Sequence, residues 1–341
     1  MSDLEEYWFD PPEGDDPRFP PLPRADRRRL LDPEDWRAAE GHCVGTLAEA
    51  AGAIGLLDGL IAGLTSDVLR RGIATRLALT EVEALLWATG TPLALDVLIR
   101  DLAEAPAGTD LEVLGLARWA LRRLEGRGRP DDLRDFLGLH RLGQGERPGR
   151  AEMMRPTGAD FDAAAAEFQA TLAALGSSHL VTRAAFGQRL WRLSDLSPDG
   201  HLPEPCCWAS RAMASSCRAL VMVPMGPAGR RVWTAGGDPA AFLAEWCAAV
   251  ASGCTAGFEM IRRLSSWAAR AERAADRMHG ATAARTVAVL TAQPVVSAAL
   301  LAREAAISRD TAERLLVRLH GLGLVREITG GRRYRFWRAA V

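Results

Sequence analysis

The spacing of apolar residues constrains this chain more than any other feature. From Asp35 to about Glu125, apolar residues recur at three- and four-residue steps, as in Leu47, Ala50 and Ile54, and further helical runs separated by loops follow up to about residue 280. Such spacing places one apolar stripe along a helix, whereas a half-buried strand needs a two-residue period. Alternating runs are almost absent before the last twenty residues. The chain is therefore predicted to be mainly α, with strands only near its C-terminus.

The composition divides the chain into five predicted regions. These are a Pro- and acid-rich arm (1–34) expected to be disordered, an N-terminal helical region (35–125), a Gly/Pro/Arg-rich loop or linker (126–150), a second helical core (151–280) and a C-terminal module (283–341). The aromatic run Tyr7–Phe9 in the arm is expected to fold back onto the body.

Eight helices are predicted in the two helical regions, joined by loops at 194–205 and 224–238. Their approximate ranges are Trp36–Leu64, Ser66–Thr89, Ala94–Glu104, Asp110–Leu124, Asp160–Leu175, His179–Leu193, Cys206–Met222 and Pro239–Ser265, the last extending toward Met278. Eight or more alanine-rich helices are enough to bury a substantial core.

The C-terminal module has the sequence pattern of a winged helix. A short helix from about Ala284 precedes two short helices that share one apolar seam, and Ser297 and Ser308 stand where a hydroxyl caps a helix. Residues 322–328 then predict a strand, 329–331 a hairpin turn and 332–338 the return strand. A helix-turn-helix followed by a two-stranded wing predicts a DNA-binding module.

Burial of Ala312, Leu315, Leu316 and Leu319 would turn an outward face toward solvent, which consists of Arg309, Asp310, Glu313 and Arg314. Arginine on such a face can bind guanine edges or phosphates. The predicted contacts to double-stranded DNA are Ser308, Arg309, Thr311, Arg314, Arg318, Arg332, Arg333 and Arg335, with Arg309, Thr311 and Arg314 facing the major groove.

The charge of the module favours DNA as its partner. From Ala283 onward there are ten arginines and four acidic residues, although the whole chain has a net charge of −1. The acids Asp310 and Glu313 oppose this interpretation, because each repels phosphate. The alternative is a winged helix that docks proteins or dimerises.

Composition also excludes several kinds of chemistry. The chain contains no lysine and no asparagine, so all 42 basic residues are arginine and no Walker-type or Schiff-base lysine exists. The cluster of His201, Cys206, Cys207 and Cys217 lacks a zinc-site spacing, and we expect no metal and no cofactor. Asp195, Asp199 and His201 share a loop that we expect to be solvated.

Two features of the composition suggest a bacterial cytoplasm: the cysteine usage, and the codon bias implied by the absence of lysine and asparagine. The six cysteines show no disulfide-framework spacing, and neither a signal peptide nor an apolar run of 18 residues precedes them. We therefore expect no contact with a membrane.

The C-terminal stretch resembles a family from rhizobial and other alphaproteobacterial genomes, often on plasmids, in which a helical domain of unknown function precedes a helix-turn-helix. The matching segments are Gln293–Ala298, Leu300–Ala302, Ile307–Ser308 and Leu322–Trp337. The resemblance implies a DNA-binding C-terminus behind a helical body.

The body more distantly resembles the Fic proteins, which transfer AMP to target hydroxyls. Ser178–Ala185 is similar to the helix that opens the Fic core, and Trp233–Phe242 to the segment before a long helix. A Fic enzyme needs a histidine base followed by an asparagine- and arginine-containing anion nest. Residues 193–201 hold neither asparagine nor arginine. The resemblance thus implies a Fic-like scaffold without its catalytic motif.

The sequence as a whole predicts a bacterial DNA-binding protein that regulates transcription, is not an enzyme, and dimerises through its helical body. A protein-interaction scaffold, for instance in plasmid maintenance or a toxin–antitoxin pair, is the main alternative, and an enzyme acting on nucleotides is the third.

Overall fold

The computed structural model describes residues 31–92, 97–99, 111–139, 155–198, 200–278, 281–328 and 335–341. Several predictions therefore fall outside the described residues: the arm up to residue 30 with Tyr7–Phe9, the hairpin turn, Asp199, Arg332 and Arg333. The described residues are mostly helical, which confirms the predicted mainly α fold. Of the predicted helix at 94–104, only residues 97–99 are described, and they are helical.

Besides the helical residues 97–99 and the 3-10 helix Gly226–Ala228, the body contains ten α-helices within the described residues. They are α1 (Pro33–His42), α2 (Val44–Ala62), α3 (Asp67–Ala88), α4 (Leu111–Leu124), α5 (Leu133–Leu137), α6 (Gly158–Ala173), α7 (Leu180–Trp191), α8 (Pro203–Met213), α9 (Gly229–Val232) and α10 (Pro239–Asp276). Half of these begin at a polar cap, since Asp32, Ser66, Asp132, His179 and Asp238 each accept a backbone N–H of the first turn.

The helices differ from the prediction at three points. The first predicted helix is two, because the chain breaks between α1 and α2 at Cys43. α1 also begins at Pro33, inside the predicted arm. The short helix α5 lies in the predicted loop at 126–150, and its Leu133, Phe136 and Leu137 are buried.

The prediction of one helix over Cys206–Met222 is wrong, and two buried carboxylates explain why. α8 begins at Pro203 and ends at Met213. Beyond it, Asp58 of α2 accepts the backbone N–H groups of Arg218, Ala219 and Leu220 at 2.8–3.1 Å. Glu81 of α3 accepts those of Met225 and Gly226. Backbone groups held by side chains in this way are not available to continue a helix.

The long helix α10 runs through the centre of the body and packs against α1, α2, α3 and α11 (Ala281–Ala292). Its aromatic residues Phe242, Trp246 and Trp267 are buried, and Phe242 meets Trp36 edge-on at 5.8 Å between ring centroids. Each such buried ring contributes about 1.5–3 kcal/mol of hydrophobic stabilisation. One continuous set of buried apolar residues extends from α1 to the last strand.

The C-terminal module contains α11, β1 (Val296–Ser297), α12 (Ala298–Glu304), α13 (Arg309–Gly321), β2 (Val325–Glu327) and β3 (Phe336–Ala339). The three strands form an antiparallel sheet in the order β1-β3-β2. The predicted two-stranded wing is therefore one strand short, since β1 has only two residues and shows no alternation. This arrangement is a winged helix-turn-helix.

The module is fixed to the body at two points. The partly buried guanidinium of Arg76 in α3 donates to the carbonyl oxygens of Leu290, Thr291 and Gln293 at the end of α11, at 2.8–3.2 Å. Burial lowers the pKa of Arg76 to about 10, so the group stays charged at neutral pH. The indole of Trp267 in α10 donates to the carbonyl of Leu324 at 2.7 Å, just before β2.

Among the residues that the structure describes, two helices are long and apolar enough to cross a membrane by length and composition alone. In α10 half of the relevant window is buried, as in the core helix of a soluble protein, whereas in α2 only 28% is buried. Val44 and Leu56 of α2 are 61% and 60% exposed. α2 thus leaves an apolar side open to solvent.

Candidate DNA-binding surface

The recognition helix α13 is built as its sequence predicts. Ser308 caps it, because its hydroxyl accepts the N–H of Thr311 at 3.2 Å, and Ser297 caps α12 in the same way. Ala312, Leu316 and Leu319 are buried against the module core. Leu315, predicted to be buried with them, is only half-buried, as is Thr311. The Ser308 hydroxyl also lies 2.8 Å from that of Thr311, so both hydroxyls are engaged in the cap.

On the outward face of α13, two arginines and two acidic residues pair with each other, so their charges cancel. Arg309 and Arg314 are both exposed, as predicted, but each forms an ion pair with an acid one turn away. The Arg309 Nε lies 3.2 Å from Glu313, and the Arg314 Nη2 lies 2.8 Å from Asp310. Because all four side chains are more than half exposed, each pair is worth only about 0.3–0.5 kcal/mol. A phosphate or a guanine edge can therefore displace either carboxylate.

The wing uses one arginine internally. Arg335, predicted to contact DNA, binds Glu327 across the hairpin at 2.5 Å and lies over the ring of Trp337. The hydrogen bond from Arg335 lowers the pKa of Glu327, which keeps this carboxylate charged. Arg335 therefore stabilises the wing in the free protein.

Every acidic residue in the described part of the module pairs with an arginine, since Glu304 pairs with Arg303. Four arginines in the same part have no acidic partner, and their charge is left uncompensated. They are Arg285 in α11, Arg318 in α13, Arg326 in β2 and Arg338 in β3. Of these, only Arg318 was predicted as a contact.

Arg326 and Arg338 face each other across the wing. They are directly paired residues of the β2–β3 ladder, so their side chains lie on the same side of the sheet. Partial burial, and next to it the Arg326 charge, lowers the pKa of Arg338. Like charges placed opposite each other destabilise a sheet unless an anion lies between them. Sequence reasoning missed this pair because it depends on the strand register.

Val317 is a second residue that sequence reasoning missed. It lies one turn beyond Arg314 on the outward face and is 53% exposed. An exposed aliphatic side chain on this face is suited to contact the methyl group of thymine in a major groove. The three- and four-residue spacing from Arg314 and Glu313 would have revealed it.

In the loop expected to be solvated, Asp195 is exposed, but His201 lies beside a closed cluster of buried and half-buried side chains. Buried Glu204 binds Arg155 at 2.5 Å and accepts the hydroxyl of Ser197, which itself accepts the indole N–H of Trp191 at 2.7 Å. The Nδ1 of His201 lies 3.7 Å from Glu204. Ser197 thus donates to a carboxylate that is itself held by the guanidinium of Arg155.

The candidate metal ligands do not converge in the part of the chain that the structure describes, where no three His, Cys, Asp or Glu side chains are placed to hold an ion. Cys206 and Cys207 are buried, and burial raises the pKa of both thiols well above the usual value. They behave as small apolar residues.

Comparison with known proteins found no significant match among the curated proteins. Among solved structures, the chain is distantly similar to the crystal structure of a Fic family protein from Desulfovibrio desulfuricans G20. The identity is 14%, the TM-score is 0.46, and the match covers 86% of this chain and 96% of that one. Residues 284–339 match the family model described as "HTH DNA binding domain". The C-terminal module of this chain is therefore an HTH DNA-binding domain.

Proposed function

We propose that this protein binds double-stranded DNA through the C-terminal module and regulates transcription in a bacterial cytoplasm, with the helical body serving as a non-catalytic platform. The observation that carries this proposal is the distribution of charge on the module. Its acids are all paired with arginines, which leaves Arg318, Arg326 and Arg338 uncompensated on the recognition helix and the wing.

This distribution suits a division between positioning and reading. Uncompensated arginines bind phosphates of any sequence, and such contacts orient a protein on the duplex. The paired arginines Arg309 and Arg314 must exchange a carboxylate for a base edge or a phosphate, so their contribution depends on what they meet. At a site that offers guanine to Arg314, the base contact contributes about 1–3 kcal/mol and so outweighs the lost ion pair.

The test uses the full chain and a fluorescent duplex of random sequence, with binding measured by anisotropy at several salt concentrations. Neutralisation of three to five phosphates gives a log–log slope of about −3 to −5, at ~0.9 per phosphate. Absence of binding at low salt, or a slope near zero, would contradict DNA binding and favour a protein-docking winged helix.

We further propose that the protein acts as a homodimer through its body, since one module of this kind binds weakly. Sedimentation of the full chain measures the oligomeric state directly. A protein that remains monomeric at all concentrations and also binds DNA as a monomer contradicts the proposal. The alternative, a scaffold that binds another protein, is favoured by one observation: α2 exposes Val44 and Leu56 on an apolar side.

We propose no catalytic activity for the body. Incubation with labelled ATP should transfer no label to the protein or to a lysate. Labelling that is lost in His201→Ala would overturn this part of the proposal.

A further inference from the structure

Three arginines form a stripe along the second half of α10, which belongs to the body. Arg263, Arg270 and the C-cap residue Arg277 recur every seven residues, so they lie on one face of the helix and drift by only about 20° per step. All three are exposed, and within the described part of the chain none of them forms an ion pair. This arginine stripe is about 21 Å long, at ~1.5 Å per residue.

The acidic residues of the same half of α10 leave the stripe uncompensated. Glu259 lies one turn before the stripe, but it is bonded by Arg262 at 2.7 Å. Glu272 and Asp276 lie about 120–160° around the helix axis from Arg270, at ~100° per residue. A helix face that only meets solvent usually has charges of alternating sign, whereas the arginine stripe has one sign.

The arginine stripe passes the base of the wing. Trp267 lies between Arg263 and Arg270, one helical turn from each, and its indole donates to the carbonyl of Leu324 at 2.7 Å. The same carbonyl accepts the backbone N–H of Ala340 at 2.9 Å. Leu324 precedes β2 and Ala340 follows β3, so body and wing meet where the two strands of the wing begin and end.

The wing contributes two further arginines near this contact. Arg326 lies two residues beyond Leu324, about 7 Å along the strand, and faces Arg338 across the ladder. Two arginines of the body and two of the wing are thus gathered around one contact. Such like charges repel each other unless an anion lies among them. Duplex DNA carries one negative charge per ~1.7 Å of its axis, and the stripe matches the length of about six base pairs.

We propose that the arginine stripe binds the phosphate backbone of DNA next to the segment that α13 reads, so that wing and body hold neighbouring phosphates. This inference rests on the proposed DNA binding and extends it from the module to the body. Contacts to phosphate carry no sequence information directly. The stripe therefore increases affinity and fixes orientation, and it leaves the base preference unchanged.

The test compares the salt dependence of DNA binding in two variants of the full chain that lose the same charge. The stripe variant carries Arg263→Gln, Arg270→Gln and Arg277→Gln. On a random duplex of about two helical turns, measured by anisotropy, its log–log slope should be smaller than that of the wild type by about two to three, at ~0.9 per phosphate.

The matched control loses three exposed arginines of the body outside α10, through Arg127→Gln, Arg218→Gln and Arg231→Gln. Its slope should equal that of the wild type, because net charge alone does not create phosphate contacts. If both variants lose the same slope, or if the stripe variant loses none, the proposal is wrong. Should the stripe variant not fold, Arg270→Gln alone should still lower the slope by ~0.9.

The length of the duplex gives a second measurement. A duplex of about one helical turn, or ~10 base pairs, covers little beyond the segment that α13 reads. On it the stripe variant and the wild type should have equal slopes, and the difference should appear only on the longer duplex. An equal loss at both lengths would show that the stripe does not bind flanking DNA.

Two further outcomes separate this inference from its alternatives. An anionic membrane also attracts a basic helix face. If the stripe variant keeps the slope on DNA but loses binding to phosphatidylserine vesicles, the stripe is a membrane surface and the proposal is wrong. Absence of DNA binding in the wild type contradicts the proposed function together with this inference, whereas binding with an unchanged slope in the stripe variant contradicts this inference alone.

Discussion

The two sides of the C-terminal module use arginine in opposite ways. Where the module meets the body, Arg76 of α3 is partly buried and bonded to carbonyl oxygens at the end of α11, so its hydrogen-bonding capacity is largely satisfied within the protein. On the recognition helix and the wing, Arg318, Arg326 and Arg338 have no acidic partner. The first side is complete without a ligand, and the second is not.

This difference separates the contacts that attach the module to the body from the surface with which the module can bind DNA. Variants at the junction should lower the stability of the protein and, as a consequence, weaken its DNA binding. Variants on the open side should change DNA binding while stability stays near the wild-type value. Five substitutions test this separation, beginning with the largest expected effect.

Arg76→Met should lower the free energy of unfolding by about 3 kcal/mol, because it leaves the buried carbonyls of Leu290, Thr291 and Gln293 without a donor. Urea unfolding measures this. Arg70→Met, which removes a partly exposed arginine that pairs with Asp67 in the same helix, serves as the control and should cost less than about 1 kcal/mol. Equal losses would mean that the junction bond contributes nothing beyond an exposed pair.

Gly72→Ala should destabilise the protein by about 1–3 kcal/mol, because the added methyl group overlaps the carbonyl of Thr291. Gly52→Ala is the matched control. It lies inside a helix with nothing within 4 Å of the added carbon, so it should stabilise by about 0.5–1 kcal/mol. Thermal unfolding of both variants checks the sign, and a shared sign would show that the two backbones do not touch at Gly72.

Arg314→Ala should flatten the base preference at one position of a selected binding site, by about 1–3 kcal/mol. Stability should remain near wild type, because Arg314 is exposed. Arg318→Ala is the comparison, since a phosphate contact weakens all sequences alike. If both variants keep the preference intact, α13 does not read the bases.

Arg326→Ala with Arg338→Ala should reduce the slope of log affinity against log salt by about one to two, at ~0.9 per phosphate, for specific and random DNA equally. Arg262→Ala, on the body helix α10, should leave the slope unchanged. If the salt slope is unchanged in the wing variant, Arg326 and Arg338 do not contact DNA phosphates.

Glu313→Gln should tighten DNA binding by about twofold, the smallest of the five effects. The substitution frees Arg309 from an exposed pair worth about 0.3–0.5 kcal/mol and removes a charge that repels phosphate. Glu34→Gln in α1, which also frees an arginine one turn away, is the control and should not alter DNA affinity. Weaker binding in Glu313→Gln would indicate that the acid itself contacts a base.

Local patterns were enough to predict most of the module. The serine caps, the buried face of α13 and two of the three strands follow from residues close in sequence. The ion pairs of Arg309 and Arg314 also have the four-residue spacing that favours them, but sequence reasoning treated Asp310 and Glu313 only as an obstacle to DNA binding.

Features that depend on distant residues were not predictable. Arg76 and Thr291 are 215 residues apart, and nothing in the local pattern of either marks the contact. The predicted helix after Met213 failed for the same reason, since Asp58 lies 160 residues from Arg218. The Arg326–Arg338 pair required the strand register.

The bond from Trp267 to Leu324, together with Arg76, has a consequence for the geometry of DNA recognition. A module attached at two points cannot turn freely. In a dimer, the body would therefore set the distance and the rotational phase between the two recognition helices. Two copies would then accept operators of one spacing only. Inserting about five base pairs, half a turn of the double helix, should abolish simultaneous binding, while about ten should restore the phase but not the distance.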